Sequence, residues 1–274
     1  MKITCLIDDC DVEGLLSEHG LSFYIETESH KILFDLGQSQ AFIENAKRLN
    51  IDLSKVDMLV ISHGHYDHGG GLKSFLEIND HANVYIQEEA FKTLYSIRSE
   101  DETVEVGLDD SLKNHPRLVL LQGDHKLDDT LMLVNQVDLL KFYPKSNQTL
   151  LMKKDHQLVK DDFSHEQSLL IRENNHYVLF AGCAHKGIYN IIKASKHYIG
   201  YMDFNMVIGG FHLKSRLKTY AWSDEELKAL AQALKDFDTN YYTGHCTGER
   251  EFESLKKEMD RQIHRFYSGW SIQL

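Results

Sequence analysis

The chain has 274 residues, of which 42% are hydrophobic and 26% charged, and its formal net charge is −12 at pH 7. This composition is that of a globular protein with a substantial core, whereas the acidic balance argues against a nucleic-acid backbone or an anionic membrane as the main partner. No apolar run approaches the roughly 20 residues that span a bilayer, and the first residues lack the apolar core of a secretory signal.

The first third of the chain predicts a β-hairpin, a helix and a buried strand. Residues 23–27 and 31–35 are rich in β-branched and aromatic types, and the polar turn between them is a hairpin signal. Residues 41–49 carry apolar side chains at helical spacing, and the apolar run 56–61 predicts a strand. Two further elements are predicted after it: a helix from Gly71 and a strand over residues 83–86.

The middle of the chain is less regular. Residues 92–160 mix acidic turns with short apolar runs, and they carry no motif. We predict that this stretch is an insertion that covers the functional site. The whole chain, residues 1–274, is then a single domain.

The last third returns to an alternation of strands and helices. Apolar strands are predicted at residues 177–181, 205–208 and 240–243, and each is followed by a glycine. Ser223 and Glu226 form a capping box, which predicts that a helix starts between the second and third of these strands.

The most informative segment is the decapeptide at residues 62–71, Ser-His-Gly-His-Tyr-Asp-His-Gly-Gly-Gly, directly after an apolar strand. It places His63, His65, Asp67 and His68 within six positions. Imidazole nitrogen and carboxylate oxygen are ligands for a borderline cation such as zinc. The first two histidines point the same way because side chains alternate along a strand, and the glycines permit a sharp turn. One ion cannot readily use all four groups, so the loop predicts two adjacent ions.

One pattern recurs along the chain: an apolar strand, a glycine, and then a histidine. It precedes His185, His212 and His245, and in the loop after the strand at 56–61 the glycine, Gly64, lies between His63 and His65. Strands that each deliver a histidine at a glycine-containing end can converge at one side of a sheet, and functional groups commonly lie on such loops.

With these residues in hand, the chain resembles the metallo-β-lactamase superfamily, whose mark is a His-x-His-x-Asp-His loop, here residues 63–68. Within it, the chain is similar to the branch named for dihydropterin-ribofuranosylaminobenzene phosphate synthase-like proteins. The segments that carry this similarity are residues 18–22, 32–38, the metal loop, 182–185, 209–213 and 244–248. The resemblance implies an α/β fold, a four-layer αββα sandwich, with a dinuclear metal site at one edge.

The resemblance also implies a ligand set, carried over position by position. The implied ligands are His63, His65 and His185 for the first metal ion, and Asp67, His68 and His245 for the second. Many superfamily members place a bridging Asp where this chain has Cys183, so Cys183 is either a thiolate ligand or a small packed residue beside the site. In other branches a histidine from the region of His165 fills the first site, which makes His165 an alternative to His185.

Further residues are candidates for supporting or substrate-binding roles. Asp35 ends an apolar strand, and a carboxylate there can accept the free N–H of a ligating imidazole. His212 is either a donor to a substrate oxyanion or a structural histidine. His19 with Ser22, and Lys186, are candidate contacts for a phosphate or carboxylate, with solvated surface residues as the alternative interpretation.

The residues predict a metal-dependent hydrolase. Two divalent ions, zinc first and manganese or iron as alternatives, lower the pKa of a bound water from near 16 to about 7 and give hydroxide at neutral pH. We expect this hydroxide to attack a phosphoester, a phosphodiester in the first hypothesis, or an ester-type small molecule. Asp67 is a ligand and a proton acceptor, and His212 assists the developing oxyanion.

Three other functions remain as alternatives. The branch name suggests a condensing enzyme with a pterin-linked phosphate substrate, and fold-level analogy does not choose between condensation and hydrolysis. A di-iron redox enzyme of the superfamily would normally carry a glutamate where this chain has His65, together with a flavin module. A non-catalytic ligand sensor would be expected to show an eroded ligand set, whereas every position here is a competent ligand.

The expected partner is a small molecule, phosphorylated in the first hypothesis, rather than a nucleic acid or a membrane. Four cysteines, Cys5, Cys10, Cys183 and Cys246, lack the spacing of a disulfide framework. Together with the missing secretory signal, they predict a reducing, cytoplasmic location. The sequence gives no indication of the oligomeric state.

Overall fold

The computed structural model describes residues 1–10 and 12–274. Its strands in chain order are β1 (Lys2–Ile7), β2 (Ser22–Glu26), β3 (Lys31–Phe34), β4 (Met58–Val60), β5 (Asn83–Gln87), β6 (Leu94–Ser99), β7 (Glu102–Glu105), β8 (Leu118–Leu121), β9 (His125–Lys126), β10 (Leu131–Val134), β11 (Leu150–Lys154), β12 (Gln157–Lys160), β13 (Ser168–Glu173), β14 (His176–Phe180), β15 (Met206–Ile208), β16 (Asn240–Thr243), β17 (Ile263–Arg265) and β18 (Ser271–Gln273). Its α-helices are α1 (Ala41–Arg48), α2 (Tyr66–Gly69), α3 (Leu72–Ile78), α4 (Ile188–Ser195), α5 (Asp224–Lys235) and α6 (Glu249–Met259).

Two seven-stranded mixed sheets form the centre of the molecule. The first has the order β18-β1-β2-β3-β4-β5-β8, and the second has the order β17-β16-β15-β14-β13-β10-β9. In the first sheet β3, β4, β5 and β8 run parallel, and in the second β14, β15, β16 and β17 do. The remaining neighbours are antiparallel. Each sheet therefore delivers several loops at the carboxyl ends of its parallel strands.

Successive side chains of a strand point to opposite faces of its sheet, so each strand contributes both to the core between the sheets and to the core beneath the helices. In β2, Phe23 and Ile25 pack between the two sheets, whereas Tyr24 joins the cluster beneath the outer helices. In β14, Val178 lies between the sheets and Leu179 packs towards the helices on the other side. Because both faces of these strands are covered, they are apolar almost without interruption.

Helices cover both outer faces. Phe42 of α1 and Phe75 of α3 are fully buried against the first sheet, while Ile192 of α4, Leu230 of α5 and Leu255 of α6 cover the second. The layers are thus helix, sheet, sheet and helix. The predicted four-layer αββα fold is confirmed. Within the described residues, every helix is too short or too polar to cross a lipid bilayer.

Residues 92–160 divide between three sheets. β8 closes one edge of the first sheet, and β9 and β10 belong to the second. The rest of the stretch forms a small antiparallel sheet of its own, in the order β12-β11-β6-β7. Side chains from this small sheet and from the turn at Lys145–Thr149 line the cavity described below.

Local signals in the sequence correspond to observed structure. β2 and β3 pair antiparallel with Phe23 opposite Phe34, as the hairpin signal predicts. The capping box at the start of α5 is complete: the Ser223 hydroxyl accepts from the Glu226 N–H at 3.2 Å, and the Glu226 carboxylate accepts from the Ser223 N–H at 2.8 Å. The strand predicted at residues 56–61 is shorter, because only Met58–Val60 forms β4 before the chain enters the histidine loop.

Candidate metal centre

The histidines singled out by the sequence converge at one edge of the sandwich. The histidine loop follows β4 of the first sheet, and three further loops follow β14, β15 and β16 of the second. Each loop starts at the carboxyl end of a parallel strand, where such groups can meet. Four residues in these loops and at the end of β3 have a left-handed backbone although none is glycine: Asp35, Ala184, His212 and His245. Backbone of this kind costs energy and is concentrated at functional sites.

Glycine allows the loops of the two sheets to approach each other. A Cβ atom on Gly182 would overlap the Ser62 hydroxyl, so only glycine permits this contact between the first and second sheets. Gly209 has a φ of 147°, and a Cβ there would overlap the carbonyl of Ala181. Close packing therefore requires glycine at positions 182 and 209, in the loops that lead to His185 and His212.

His63 and His185 form the first imidazole pair, with their Nε2 atoms 3.3 Å apart. Nδ1 of His63 lies 2.8 Å from the Ser62 hydroxyl, whose own hydrogen goes to the Asp35 carboxylate, so His63 donates here. Nδ1 of His185 donates to the amide oxygen of Asn147 at 3.1 Å. Burial and the neighbouring imidazoles lower the pKa of both histidines well below the ordinary value.

His68 and His245 form the second imidazole pair, again with Nε2 atoms 3.3 Å apart. Here the Nδ1 partners are carboxylates: His68 donates to Asp35 at 2.7 Å, and His245 donates to Asp9 at 2.6 Å. A carboxylate oxygen of Asp67 lies 3.4 Å from Nε2 of His245 and 3.8 Å from Nε2 of His68. The second pair is therefore surrounded by anionic groups.

This arrangement fits bound cations. All four Nδ1 atoms donate, so each neutral imidazole carries its lone pair on Nε2. In both pairs two lone pairs then face each other at 3.3 Å, which is repulsive unless a cation or a proton lies between them. Hydrogen-bond acceptors that hold the Nδ1–H and fix the tautomer in this way are typical of metal-ligating histidines.

Cys183 lies where the two pairs meet. Its Sγ is 3.1 Å from Nε2 of His68. The sulfur also forms one compact ligand group with His63 and His185, and another with His68 and His245, in which the ligand atoms lie within 4.8 Å of one another. Burial raises the pKa of the Cys183 thiol well above its ordinary value, so a thiolate at this position needs a nearby cation.

His65 and His165 have different surroundings. The rings of His63, His65 and His185 surround one point, with centroid separations of 4.7, 4.8 and 4.9 Å. Nε2 of His65 is buried and has no hydrogen-bond partner in the part of the chain that the structure describes. Both ring nitrogens of His165 are engaged, since Nδ1 accepts from the Gly64 N–H at 3.1 Å and Nε2 contacts Asp161 at 3.1 Å. The structure thus brings His65 and His185 together with His63, whereas His165 contacts the loop backbone at Gly64 and forms a separate compact group with His65 and Asp161.

The predicted supporting and substrate residues divide into two groups. Asp35 lies beneath the loop and is fully buried, and His212 lines the cavity with its ring 4.1 Å from that of His185. His19 lies between two carboxylates, 2.9 Å from Asp9 and 3.4 Å from Asp67. Two other candidates do not reach the cavity: the Lys186 ammonium is buried and donates to the carbonyl of Asn135, and the Ser22 hydroxyl donates to the carbonyl of Asp35.

Some residues of the centre were missed by the sequence analysis. Asp9 follows the buried strand β1, and an acidic residue at the end of an apolar strand was a usable signal, as it was for Asp35. Asn147 lies in a short turn of the motif-free stretch, and no local pattern indicated its contact with His185. Basic residues at the rim of the cavity were also missed: Arg98, Lys214 and Arg216.

A cavity of about 380 Å³ opens above these ligands and is within the size range of small-molecule sites. Its floor consists of candidate ligands, including Asp67, Cys183 and His245. Its walls come from the small sheet, the Lys145–Thr149 turn and the loop after β15.

Comparisons with known proteins agree with this geometry. The family model of the metallo-beta-lactamase superfamily matches residues 18–141. A 7,8-dihydropterin-6-methyl-4-(beta-D-ribofuranosyl)-aminobenzene-5'-phosphate synthase of Methanocaldococcus jannaschii is 30% identical over 269 residues, covering 92% of this chain and 89% of that protein. An uncharacterized protein of the same organism is 29% identical and covers 97% of this chain and 96% of its own length.

Solved structures give the same result. Tm1679, described as a metal-dependent hydrolase of the beta-lactamase superfamily, superposes with a TM-score of 0.82 at 31% identity and covers 100% of this chain and 99% of its own. Zn(2+)-bound PqqB from Methylobacterium extorquens has a TM-score of 0.58 at 10% identity, with 100% of both chains covered, and shows the fold alone. The chain belongs to the metallo-β-lactamase superfamily. Within it, the chain belongs to the dihydropterin-ribofuranosylaminobenzene phosphate synthase-like branch.

Proposed function

We propose that the protein is a hydrolase that uses two zinc ions to cleave a phosphoester bond, a phosphodiester first, in a small molecule. The observation that supports this most directly is that two pairs of imidazoles, each with its Nε2 atoms facing one another, lie at the floor of one cavity. We assign His63, His65 and His185 to one ion and Asp67, His68 and His245 to the other, with Cys183 as a thiolate ligand between them. Bound there, the ions would supply Lewis acidity and lower the pKa of the attacking water towards neutrality.

Asp67 is the residue that we assign to proton transfer. Burial raises the pKa of its carboxyl, but contacts with His245, His68 and His19 hold it well below the ordinary value. The side chain of His19 is 41% exposed and lies between Asp67 and Asp9. The low pKa keeps Asp67 ionised, so it holds a proton only in passing, and the exposed His19 beside it offers a short route to solvent.

His212 is the residue that we assign to the substrate oxyanion. Its ring lines the cavity beside His185, yet its buried Nδ1 has no partner in the described chain. An unpaired polar atom of this kind costs free energy unless a ligand satisfies it. A substrate oxygen that gains charge during the reaction is a suitable acceptor for an imidazole N–H.

A condensing reaction is the second candidate function. It is favoured by the name of the 30% identical relative, which is a synthase of a pterin-linked aminobenzene phosphate. The same cavity would then hold a dihydropterin and a phosphorylated aminobenzene riboside. Formation of a conjugate of these two compounds, detected by mass spectrometry, would favour condensation over hydrolysis.

The test of the proposed function is metal content followed by a substrate panel. Tag-free protein purified without chelator should carry about two zinc ions per chain, and it should release nitrophenol from a bis-nitrophenyl phosphodiester. His63→Ala should abolish this turnover, whereas His197→Ala, an exposed histidine outside the site, should not. Turnover of carboxyl esters but not of phosphoesters would change the substrate class to esters. A chain that binds no divalent metal would overturn the proposal.

A further inference from the structure

Three basic side chains line the cavity above the candidate ligands: Arg98, Lys214 and Arg216. Arg98 comes from β6 in the small sheet, and the other two come from the loop after β15. We call these three residues the rim cations. They approach the cavity from two separate parts of the chain, whose net charge is −12.

Arg98 lies in a β-bulge. In the β6–β7 ladder, Ile97 pairs with Thr103 and Ser99 pairs with Glu102, so Arg98 is the extra residue without a partner position. Bulges near functional sites reorient a side chain away from the regular pleat. Arg98 lines the cavity together with Ser96 of the same strand.

Lys214 and Arg216 are directed by alternation. Phe211 and Leu213 are buried in the core of the second sheet and its helices, while His212, Lys214 and Arg216 line the cavity. Buried and cavity-lining residues thus alternate along this loop, so the apolar residues anchor it and the polar ones face the ligand space.

The rim cations have no anionic partner in the structure. Among residues 1–10 and 12–274, no carboxylate lies within 4.0 Å of them, whereas Arg250 and Arg265 are both paired. Partial burial and the nearby Arg98 lower the pKa of Arg216 from its ordinary value, and the more distant carboxylates of Asp67 and Glu102 offset this only in part. An anion between them would remove this repulsion.

We propose that the rim cations bind a phosphate group of the substrate other than the group that reacts at the floor of the cavity. This inference rests on the proposed function, because it assumes a substrate in this cavity. Two guanidinium groups and an ammonium offer many donors and three positive charges, which suits a dianion with three acceptor oxygens better than a carboxylate. The substrate is then an organic phosphate with a phosphate at one end and the reacting bond at the other.

The experiment is calorimetric titration of inorganic phosphate and of acetate into the zinc-loaded protein at low ionic strength. The test variant is the double substitution Arg98→Met with Arg216→Met, and the matched control is Lys218→Met, an exposed lysine of the same loop outside the cavity. The single variant Arg216→Met, at the rim of the cavity, provides a second test if the double variant folds poorly by circular dichroism.

We expect the double variant to weaken phosphate binding by about tenfold or more, because charge-assisted hydrogen bonds are lost. The control should retain the wild-type affinity, and zinc content should be unchanged in all proteins. Equal phosphate affinity in the wild type and both arginine variants would overturn the inference, since phosphate would then be held by the metal site alone. An equal loss of acetate affinity would overturn the choice of phosphate over carboxylate.

The two proposals fail separately in this design. Phosphate binding that depends on the rim cations, in a protein that turns over no phosphoester, supports the rim site and contradicts the proposed hydrolysis. Phosphodiester turnover with phosphate binding unaffected by the substitutions supports the hydrolysis and contradicts the rim site.

Discussion

The two imidazole pairs of the metal centre have the same spacing but different support. In the His63–His185 pair, the Nδ1 atoms donate to neutral oxygens, the Ser62 hydroxyl and the Asn147 amide. In the His68–His245 pair, they donate directly to carboxylates. A carboxylate behind an imidazole increases its basicity and its strength as a metal ligand. The two halves of one centre are therefore expected to differ in affinity for the same ion.

The difference extends to the protonation of the free ligands. Burial lowers the pKa of His245, but the charges of Cys246, Asp67 and Asp9 outweigh it and raise the pKa well above the ordinary value. The pKa of His63 is lowered well below that value. Anionic support thus strengthens cation binding at one pair and at the same time attracts a competing proton. The other pair is neutral and available over a wider pH range.

Removal of one histidine from each pair should have the largest effect. His63→Ala and His245→Ala should both abolish turnover, because each removes a ligand that the other side chains cannot replace. We expect His63→Ala to retain about one ion at the His68–His245 pair, and His245→Ala to retain one that a chelator removes more readily. Metal analysis after dialysis against a graded chelator series measures this. Equal ion retention in both variants would show that the two pairs do not differ in affinity.

Cys183→Ser tests whether one residue joins the two pairs. In the cobalt-substituted protein, a thiolate ligand gives an intense sulfur-to-cobalt charge-transfer band in the near ultraviolet. We expect Cys183→Ser to lose this band and to bind both ions more weakly, because its sulfur lies within ligand distance of both pairs. Cys10→Ser, outside the cavity, should leave the spectrum unchanged. A band that persists in Cys183→Ser and disappears in Cys246→Ser would assign the ligand to Cys246 instead.

Asp9→Asn removes the carboxylate that accepts from Nδ1 of His245, and it leaves the His63–His185 pair unchanged. Loss of this partner should weaken binding at the His68–His245 pair by about 10- to 100-fold, with little change at the other pair. Asp80→Asn, fully exposed, is the matched control. Competition with a fluorescent zinc chelator gives both affinities in one titration. A uniform loss at both sites would indicate general unfolding of the centre rather than loss of one support.

Most of the fold and of the ligand loop could be predicted because these features are local. The hairpin of β2 and β3, the capping box at Ser223, and the strand–glycine–histidine order each depend on a few neighbouring residues. The left-handed backbone at His212 and His245 was not predicted, since glycine rather than histidine is expected there. Tertiary packing overrides that preference at the site.

The support of the imidazoles could not be predicted in full, because it depends on long-range contacts. Asn147 reaches His185 from a stretch without any motif, and the two residues are 38 positions apart. Asp9 lies 236 positions from His245. Arg98 reaches the cavity through a bulge, which depends on strand register rather than on residue type. Such register and contact information is absent from a single sequence.

On acidification, the two imidazole pairs should release their metal ions in a defined order. Below its raised pKa, His245 is protonated, and its Nε2 is no longer available to a metal ion. Affinity at the His68–His245 pair should therefore fall by about tenfold for each pH unit below that pKa, whereas the His63–His185 pair should retain its ion to lower pH. Metal analysis after equilibration across a pH series checks the order. Loss of the His63–His185 ion first would contradict it.

Asn147→Ala should have the smallest effect, because it removes a neutral acceptor rather than a charge. The amide oxygen of Asn147 accepts from Nδ1 of His185, and its amide nitrogen donates to the His185 carbonyl at 2.7 Å. Only the bond to Nδ1 acts on the ligating ring, and loss of one neutral hydrogen bond costs about 1 kcal/mol. Zinc affinity at the His63–His185 pair should therefore fall by about tenfold or less, with no change at the other pair. If Asn147→Ala instead weakens binding as much as Asp9→Asn does, then orientation of the ring, rather than the charge behind it, determines ligand strength at both pairs.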